Sequence, residues 1–392
     1  MPKKTINKKL KNKKPIKKAI HAVDRRQPSK PRTIVEKAQI PSQNDVAQIP
    51  SQSGDVDTDI NLLGVGLDMG TANIVSSRET AKGVEVKYSR NAFLFVRDDD
   101  STKELLQKMN ISEQRIKERP CILGKDAFDF SNYFDRNTQR PMNVGVINPL
   151  EREAIPIMNM IVKGLLWEPR VPNEICCFCV PAQPVDSMMD VNYHRNVIET
   201  MLSCFGYKVC PINEGFAVIL SELAEKKFTG IGVSCGGGMT NICVAYKSVV
   251  VMEFSIAQGG DMIDLQSSNV LSISPNKAGL VKEKGMSILK PETREQEAIA
   301  LFYKNYIRYF LGQISQVFRR PDKAPQFDEP IDIVFAGGTS MVGGFLDVVK
   351  QEIKNIDMVV PINEIRQAKD PFNCVSKGCL INSQLLSRSK AK

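Results

Sequence analysis

Long apolar runs are missing from this 392-residue sequence; none approaches 18 residues, so no membrane-spanning helix is expected. No apolar stretch follows the basic N-terminus before Gly64, which argues against a secretory signal and places the protein in the cytoplasm, with its ten cysteines reduced. Histidine is nearly absent, only His21 and His194, and outside residues 176–179 no Cys-x-x-Cys pair stands at zinc-ligand spacing. A structural zinc site is therefore not expected. There is no Gly-x-x-x-x-Gly-Lys-Ser/Thr, which disfavours a P-loop nucleotidase. Nor does a Gly-x-Gly-x-x-Gly follow a first strand, which argues against a dinucleotide enzyme.

What is present is a soluble globular composition, 42% hydrophobic and 25% charged, on a chain long enough for a substantial core. The charge is unevenly placed. Between Met1 and Lys37 stand 14 Lys or Arg against Asp24 and Glu36, a local +12 in a total of +9, so the rest of the chain carries −3. Residues 1–60 lack amphipathic periodicity and are rich in Lys, Pro, Gln and Ser, the composition of a disordered arm. Within it Ala38-Gln39-Ile40-Pro41-Ser42-Gln43 recurs as Ala47-Gln48-Ile49-Pro50-Ser51-Gln52, read as a duplicated linker. So many cations in one segment suit a polyanion or an acidic partner protein. The arm has no aromatic residue, so base stacking is not supported.

From Leu62 strands and helices alternate, the pattern of an α/β protein. Strands are expected at 62–67, 84–88, 92–96, 175–180, 209–212, 230–233, 240–246, 248–255 and 331–335. Helices are expected at 151–166, 190–205, 214–227, 294–319 and 341–354. Cys176, Cys177 and Cys179 fall inside an apolar run and read as core residues. A strand series on each side of residue 214 suggests two similar lobes around a cleft.

Three strand ends carry glycine turns. Asp68-Met69-Gly70-Thr71 sets a carboxylate at the end of a buried strand; Ser234-Cys235-Gly236-Gly237-Gly238-Met239-Thr240 holds three consecutive glycines; Ala336-Gly337-Gly338-Thr339-Ser340 opens a helix. Phosphate binding needs dense N–H donors and close backbone approach, and glycine permits both.

In this order the turns resemble the actin, sugar-kinase and heat-shock-chaperone ATPase superfamily, in its bacterial MreB and MamK branch. Val65 to Asn73 resembles the first phosphate loop, Asn213-Glu214-Gly215-Phe216-Ala217 the connecting helix, and Gly236 to Asn241 the second phosphate loop. Gly259-Gly260-Asp261 is similar to the opening of a nucleotide-facing helix, Val281-Lys282-Glu283 to a ribose-contacting segment, and Phe335 to Ser340 to the adenosine loop. The resemblance spans residues 62–385 and leaves the arm outside.

It implies an actin-like, ribonuclease-H-like α/β fold: a basic arm at 1–60, lobe I at 61–212, and lobe II at 213–392 with a C-terminal helix returning to lobe I. It also implies ATP or ADP with Mg2+ in the cleft, contacted by Asp68, Gly70, Thr71, Ala72, Asn73, Gly236, Gly237, Gly238, Thr240, Asn241, Gly260, Asp261, Lys282, Glu283, Gly337, Gly338 and Thr339. Glu214 and Thr240 would be catalytic, with Asp68 serving the metal. One departure stands out: the family's second loop begins with aspartate, and here that position is Ser234, with Met239 replacing a threonine. A neutral hydroxyl there removes one metal-compensating charge, so slow hydrolysis is expected.

The function so implied is a self-assembling cytoplasmic filament that positions an organelle, such as a magnetosome, or shapes the cell. The alternative is a non-polymerising, nucleotide-dependent adaptor of the same fold. A sugar or acetate kinase is disfavoured because no dedicated catalytic aspartate stands at a diagnostic spacing, and a chaperone because no C-terminal substrate domain follows.

Overall fold

Three strands opening on Val65 form a meander, and the first lobe is built outward from it. A computed structural model describes residues 62–134, 137–320, 327 and 329–390. The basic arm and its six-residue repeat lie outside these. Strands β1 (Val65–Met69), β2 (Asn73–Thr80) and β3 (Gly83–Arg90) pair antiparallel, β1 with β2 and β2 with β3. An insertion follows: β4 (Phe93–Phe95), α1 (Asp100–Lys108), β5 (Gln114–Ile116), β6 (Arg119–Leu123) and α2 (Gly124–Tyr133). Asp99 caps α1 by accepting from the Thr102 amide. Leu94, Leu106, Ile122, Ala127 and Phe130 give this insertion its own small core.

The chain returns through β7 (Met142–Asn143), β8 (Val146–Ile147), α3 (Ala154–Leu165), β9 (Ile175–Val180), α4 (Asn192–Cys204) and β10 (Lys208–Asn213). The first sheet has the order β10-β9-β1-β2-β3, with β9 and β10 parallel to β1. The second lobe begins after α5 (Glu214–Glu222) with β11 (Gly230–Cys235), β12 (Thr240–Tyr246) and β13 (Val249–Ile256). It continues through α6 (Gly260–Leu271), α7 (Pro275–Glu283), α8 (Arg294–Phe318), β14 (Ile331–Ala336), α9 (Phe345–Glu352), β15 (Ile362–Gln367) and α10 (Cys374–Lys390). Its sheet runs β13-β12-β11-β14-β15, an antiparallel meander followed by two parallel strands. The two sheets therefore repeat one plan.

Alternation along β11 and β12 divides the second sheet between two cores. Val233, Cys235, Ile242 and Val244 face α8, whose Tyr303, Tyr306, Phe310 and Phe318 are fully buried. Cys243 and Ala245 face the other way and join the core of the first lobe with α5. Burying side chains of this size contributes roughly 1.5–3 kcal/mol each. Helix α5 packs on β11, β12 and α10, and α10 in turn lies along β1 and β9. The close fit depends on small residues: a Cβ on Gly378 of α10 would collide with the Ala217 carbonyl of α5.

Several expected elements differ. β2 was not anticipated, because Asn73-Ile74-Val75-Ser76-Ser77 mixes apolar with buried serine: Ser76 donates to the Leu165 carbonyl and Ser77 to Ser376. Serine satisfied in this way is compatible with a buried strand. The helix expected to 227 ends at Glu222, and the one expected at 341–354 begins only at Phe345. The third glycine turn opens a 3-10 turn over Gly338–Met341, not an α-helix.

His194, on the buried face of α4, has no hydrogen-bond partner at either ring nitrogen, and burial pushes it down to about 4. Between the usual value near 6.5 and pH 4 the unfolded chain takes up a proton that the folded chain refuses, so stability falls as pH falls. His194→Leu is expected to gain on the wild type as pH drops from 7 to 4.5, by on the order of 2 kcal/mol, in urea titrations at each pH. Gly378→Ala should lose about 1–3 kcal/mol in the same assay, because the α5–α10 contact has to open.

Candidate functional site

Asn213 caps α5, its Oδ1 accepting from the Gly215 and Phe216 amides at 2.7 and 3.3 Å. The N-terminus of that helix is pressed onto the second sheet. A Cβ on Gly215 would stand 2.6 Å from the Cys243 amide nitrogen and 2.7 Å from the Gly232 carbonyl, and one on Gly232 would collide with the Gly215 carbonyl. This approach delivers Glu214 to the second glycine turn, where Ser234 Oγ donates to Glu214 Oε2 at 2.9 Å. Asp68, at the end of β1, accepts from Cys179 Sγ at 3.2 Å, and Cys179 in turn accepts from the Met69 amide.

The two carboxyls are half-buried where the lobes meet. Burial raises Asp68 above the usual carboxylate range, and its hydrogen bond with Cys179 lowers it in part. Burial also raises Glu214, the charge of Asp68 raises it further, and Ser234 and Asn241 work in the opposite direction. Beside them the buried amide nitrogen of Asn213 has no hydrogen-bond partner among the described residues.

The three glycine turns meet at this point. Gly260 and Asp261 donate their amides to the Gly236 and Gly237 carbonyls at 3.0 and 2.8 Å. Thr339 Oγ1 donates to the Gly236 carbonyl at 2.8 Å. Gly337 sits at φ 89° with its Cα against the Cys235 backbone, where only glycine fits without strain. From the first lobe, Asn91 Nδ2 donates to the Gly70 carbonyl at 3.0 Å, and Thr71 Oγ1 accepts from the Gly145 amide at 3.0 Å. A Cβ on Gly238 would lie 2.5 Å from Thr71 Oγ1, and one on Gly237 3.0 Å from Ala72 Cβ. The first two glycine turns are thus in direct contact across the cleft.

Not every expected residue reaches that meeting point with a free group. Thr240 turns into the core of the second lobe, its hydroxyl donating to the Gln258 carbonyl at 2.9 Å and lying 2.6 Å from Tyr306 Oη. Asn241, its neighbour on the opposite face, accepts from the Ala182 amide at 3.2 Å. Lys282 pairs with Asp264 at 2.7 Å and donates to the Gly260 carbonyl. Glu283 pairs with Arg90 at 2.5 Å and Asp261 with Arg140 at 2.6 Å, so two ion pairs join the lobes. Asn73 opens β2. Arg90, Asn91, Arg140 and Cys179 were not foreseen. The first three are lone residues in unremarkable stretches, Cys179 reads from sequence only as a core residue, and the paired sheets bring all four to the cleft.

The repeated sheet plan and the interlobe cleft define an actin-like fold. A MamK double helical filament matches with a TM-score of 0.61 at 19% identity, covering 82% of this chain and 98% of that one. MreB5 of Spiroplasma citri bound to ADP matches with a TM-score of 0.61 at 17% identity, covering 84% and 98%. At these identities the likeness is one of fold. The Volactin family profile matches residues 63–383, and the chain belongs to the Volactin family. No curated protein matches the chain.

The buried carboxyls set a stability prediction. With folded values raised, their stabilising protons are held in acid and lost as pH rises, so the ionised pair costs stability at alkaline pH. Glu214→Gln is expected to stabilise the nucleotide-free protein by about 2 kcal/mol at pH 8.5 and by little at pH 5, in urea unfolding at the two pH values.

Proposed function

We propose that the chain binds ATP with magnesium between its lobes, hydrolyses it slowly, and assembles head to tail into a cytoplasmic actin-like filament. The meeting of three glycine turns beside a pair of half-buried carboxyls is the observation that carries this reading. Backbone amides of residues 70–73 and 236–238 would take the phosphates, and residues 337–339 the adenosine side. That MreB5 is known bound to ADP and MamK as a filament fits the same reading.

The donor set suits magnesium held through water. Among the described residues no three His, Cys, Asp or Glu side chains form a metal cage, and magnesium ordinarily keeps several waters and bridges phosphates. Asp68 would hold those waters, its desolvated charge being otherwise met only by a thiol. The ion would supply charge neutralisation on the phosphates. Glu214 would orient the attacking water. Because the first two glycine turns touch, nucleotide uptake requires the lobes to part, with Arg140–Asp261 and Arg90–Glu283 separating.

Closure on nucleotide would then present the surfaces that join subunits in an open, head-to-tail polymer. Within the cell such a filament would position an organelle, magnetosome-like in the manner of MamK, in preference to shaping the envelope as MreB does. The sequence near Leu62 offers no separate apolar loop suited to membrane insertion, and among the described residues no helix is long and apolar enough to cross a membrane. The lysine-rich arm would tether the filament to a polyanion or an acidic protein.

Sedimentation and negative-stain electron microscopy with ATP, ADP or no nucleotide test the reading. Pelleted filaments are expected with ATP. Nucleotide binding without polymer at high protein concentration would favour the adaptor alternative, and absence of adenine-nucleotide binding with magnesium would overturn the whole reading.

A further inference from the structure

A serine where an aspartate is expected has two physical meanings: a metal ligand that has been lost, or a group recruited to another task. The contacts of Ser234 separate them. Its side chain is 2% exposed, on the face of β11 that meets α5, and its hydroxyl donates to Glu214 Oε2 at 2.9 Å. Asn241, its cross-strand partner, lies on the same face. Gly215 against Gly232 locks the start of α5 to the strand two residues before Ser234, so the distance between Ser234 and Glu214 is set by backbone. An ionised aspartate at position 234 could not donate this bond, so serine supplies Glu214 with a hydrogen-bond donor that the family's aspartate does not.

We propose that Ser234 is a positioning residue that anchors the carboxylate of Glu214 to the second phosphate turn, leaving Oε1 to face the attacking water; this rests on reading the cleft as an ATPase site. The substitution of aspartate by serine then moves magnesium compensation onto Asp68 and phosphate oxygens, while Glu214 gains a fixed orientation. A hydroxyl suffices as the anchor and a methyl does not. A second carboxylate is worse than either, although it restores the family's residue.

The test is single-turnover ATP hydrolysis by the full chain with magnesium, alongside the Kd of a fluorescent ATP analogue, for wild type, Ser234→Ala, Ser234→Thr and Ser234→Asp, with thermal melts confirming folding. Ser234→Ala is expected to slow hydrolysis about 10- to 50-fold with Kd changed less than about threefold, because a hydrogen bond to a charged group is lost while the phosphate-binding backbone is kept. Ser234→Thr should stay within about threefold of wild type, and Ser234→Asp should be at least as slow as Ser234→Ala. Faster hydrolysis by Ser234→Asp than by wild type would identify Ser234 as a lost metal ligand and overturn the inference. An unchanged Ser234→Ala rate, or a rate and Kd that fall together, would also overturn it. A wild type that binds ATP but does not hydrolyse it would remove the inference and leave nucleotide binding standing. A wild type that binds no nucleotide would remove both.

Discussion

The seating of the α5 N-terminus on the second sheet governs the arrangement of this molecule. Gly215 and Gly232 approach so closely that no side chain fits between them. Helix α5 therefore leaves the first lobe and lands on the strands of the second at one fixed height. Glu214 is carried to Ser234 by that landing, and Asp68 reaches the same region from the end of β1. Helix α10 secures the other side of α5 through Gly378 and Ala217, so α5 is held from both lobes by backbone-to-backbone fits. Fits of this kind are unforgiving, because a single methyl has nowhere to go.

A second constraint acts against the first. The close packing partly withdraws from water two carboxyls whose charges repel, and their proton affinities are raised. Retaining both acids lowers the stability of the empty fold and is intelligible if a cation and a substrate complete the site. The interlobe ion pairs Arg140–Asp261 and Arg90–Glu283 lie on the route by which the lobes would separate.

Much of the fold was legible because its signals are local. β9, Ile175–Val180, is a continuous apolar run, and α8 keeps an apolar face over seven turns. Three glycine turns at strand ends were visible for the same reason, and so was Ser234 as a departure. β2 was missed because its buried serines look solvent-loving until their partners, Leu165 and Ser376, are known. Lys282 and Glu283 read plausibly as nucleotide contacts, yet the structure engages them with Asp264 and Arg90. Sequence shows which groups a residue carries; it does not show which neighbour has already taken them.

By itself the sequence determined the alternation of strands and helices, the positions of the turns and the residue types available at each. These follow from side-chain periodicity and from backbone freedom, both properties of short segments. Only the tertiary structure decided that Thr240 turns away into the core while Asn241 shares a sheet face with Ser234, and that Ser234 serves as a donor to a carboxylate. Adjacent residues of a strand point to opposite faces, and which face meets the cleft depends on how the two sheets are stacked around α5, a relation between segments far apart in the chain.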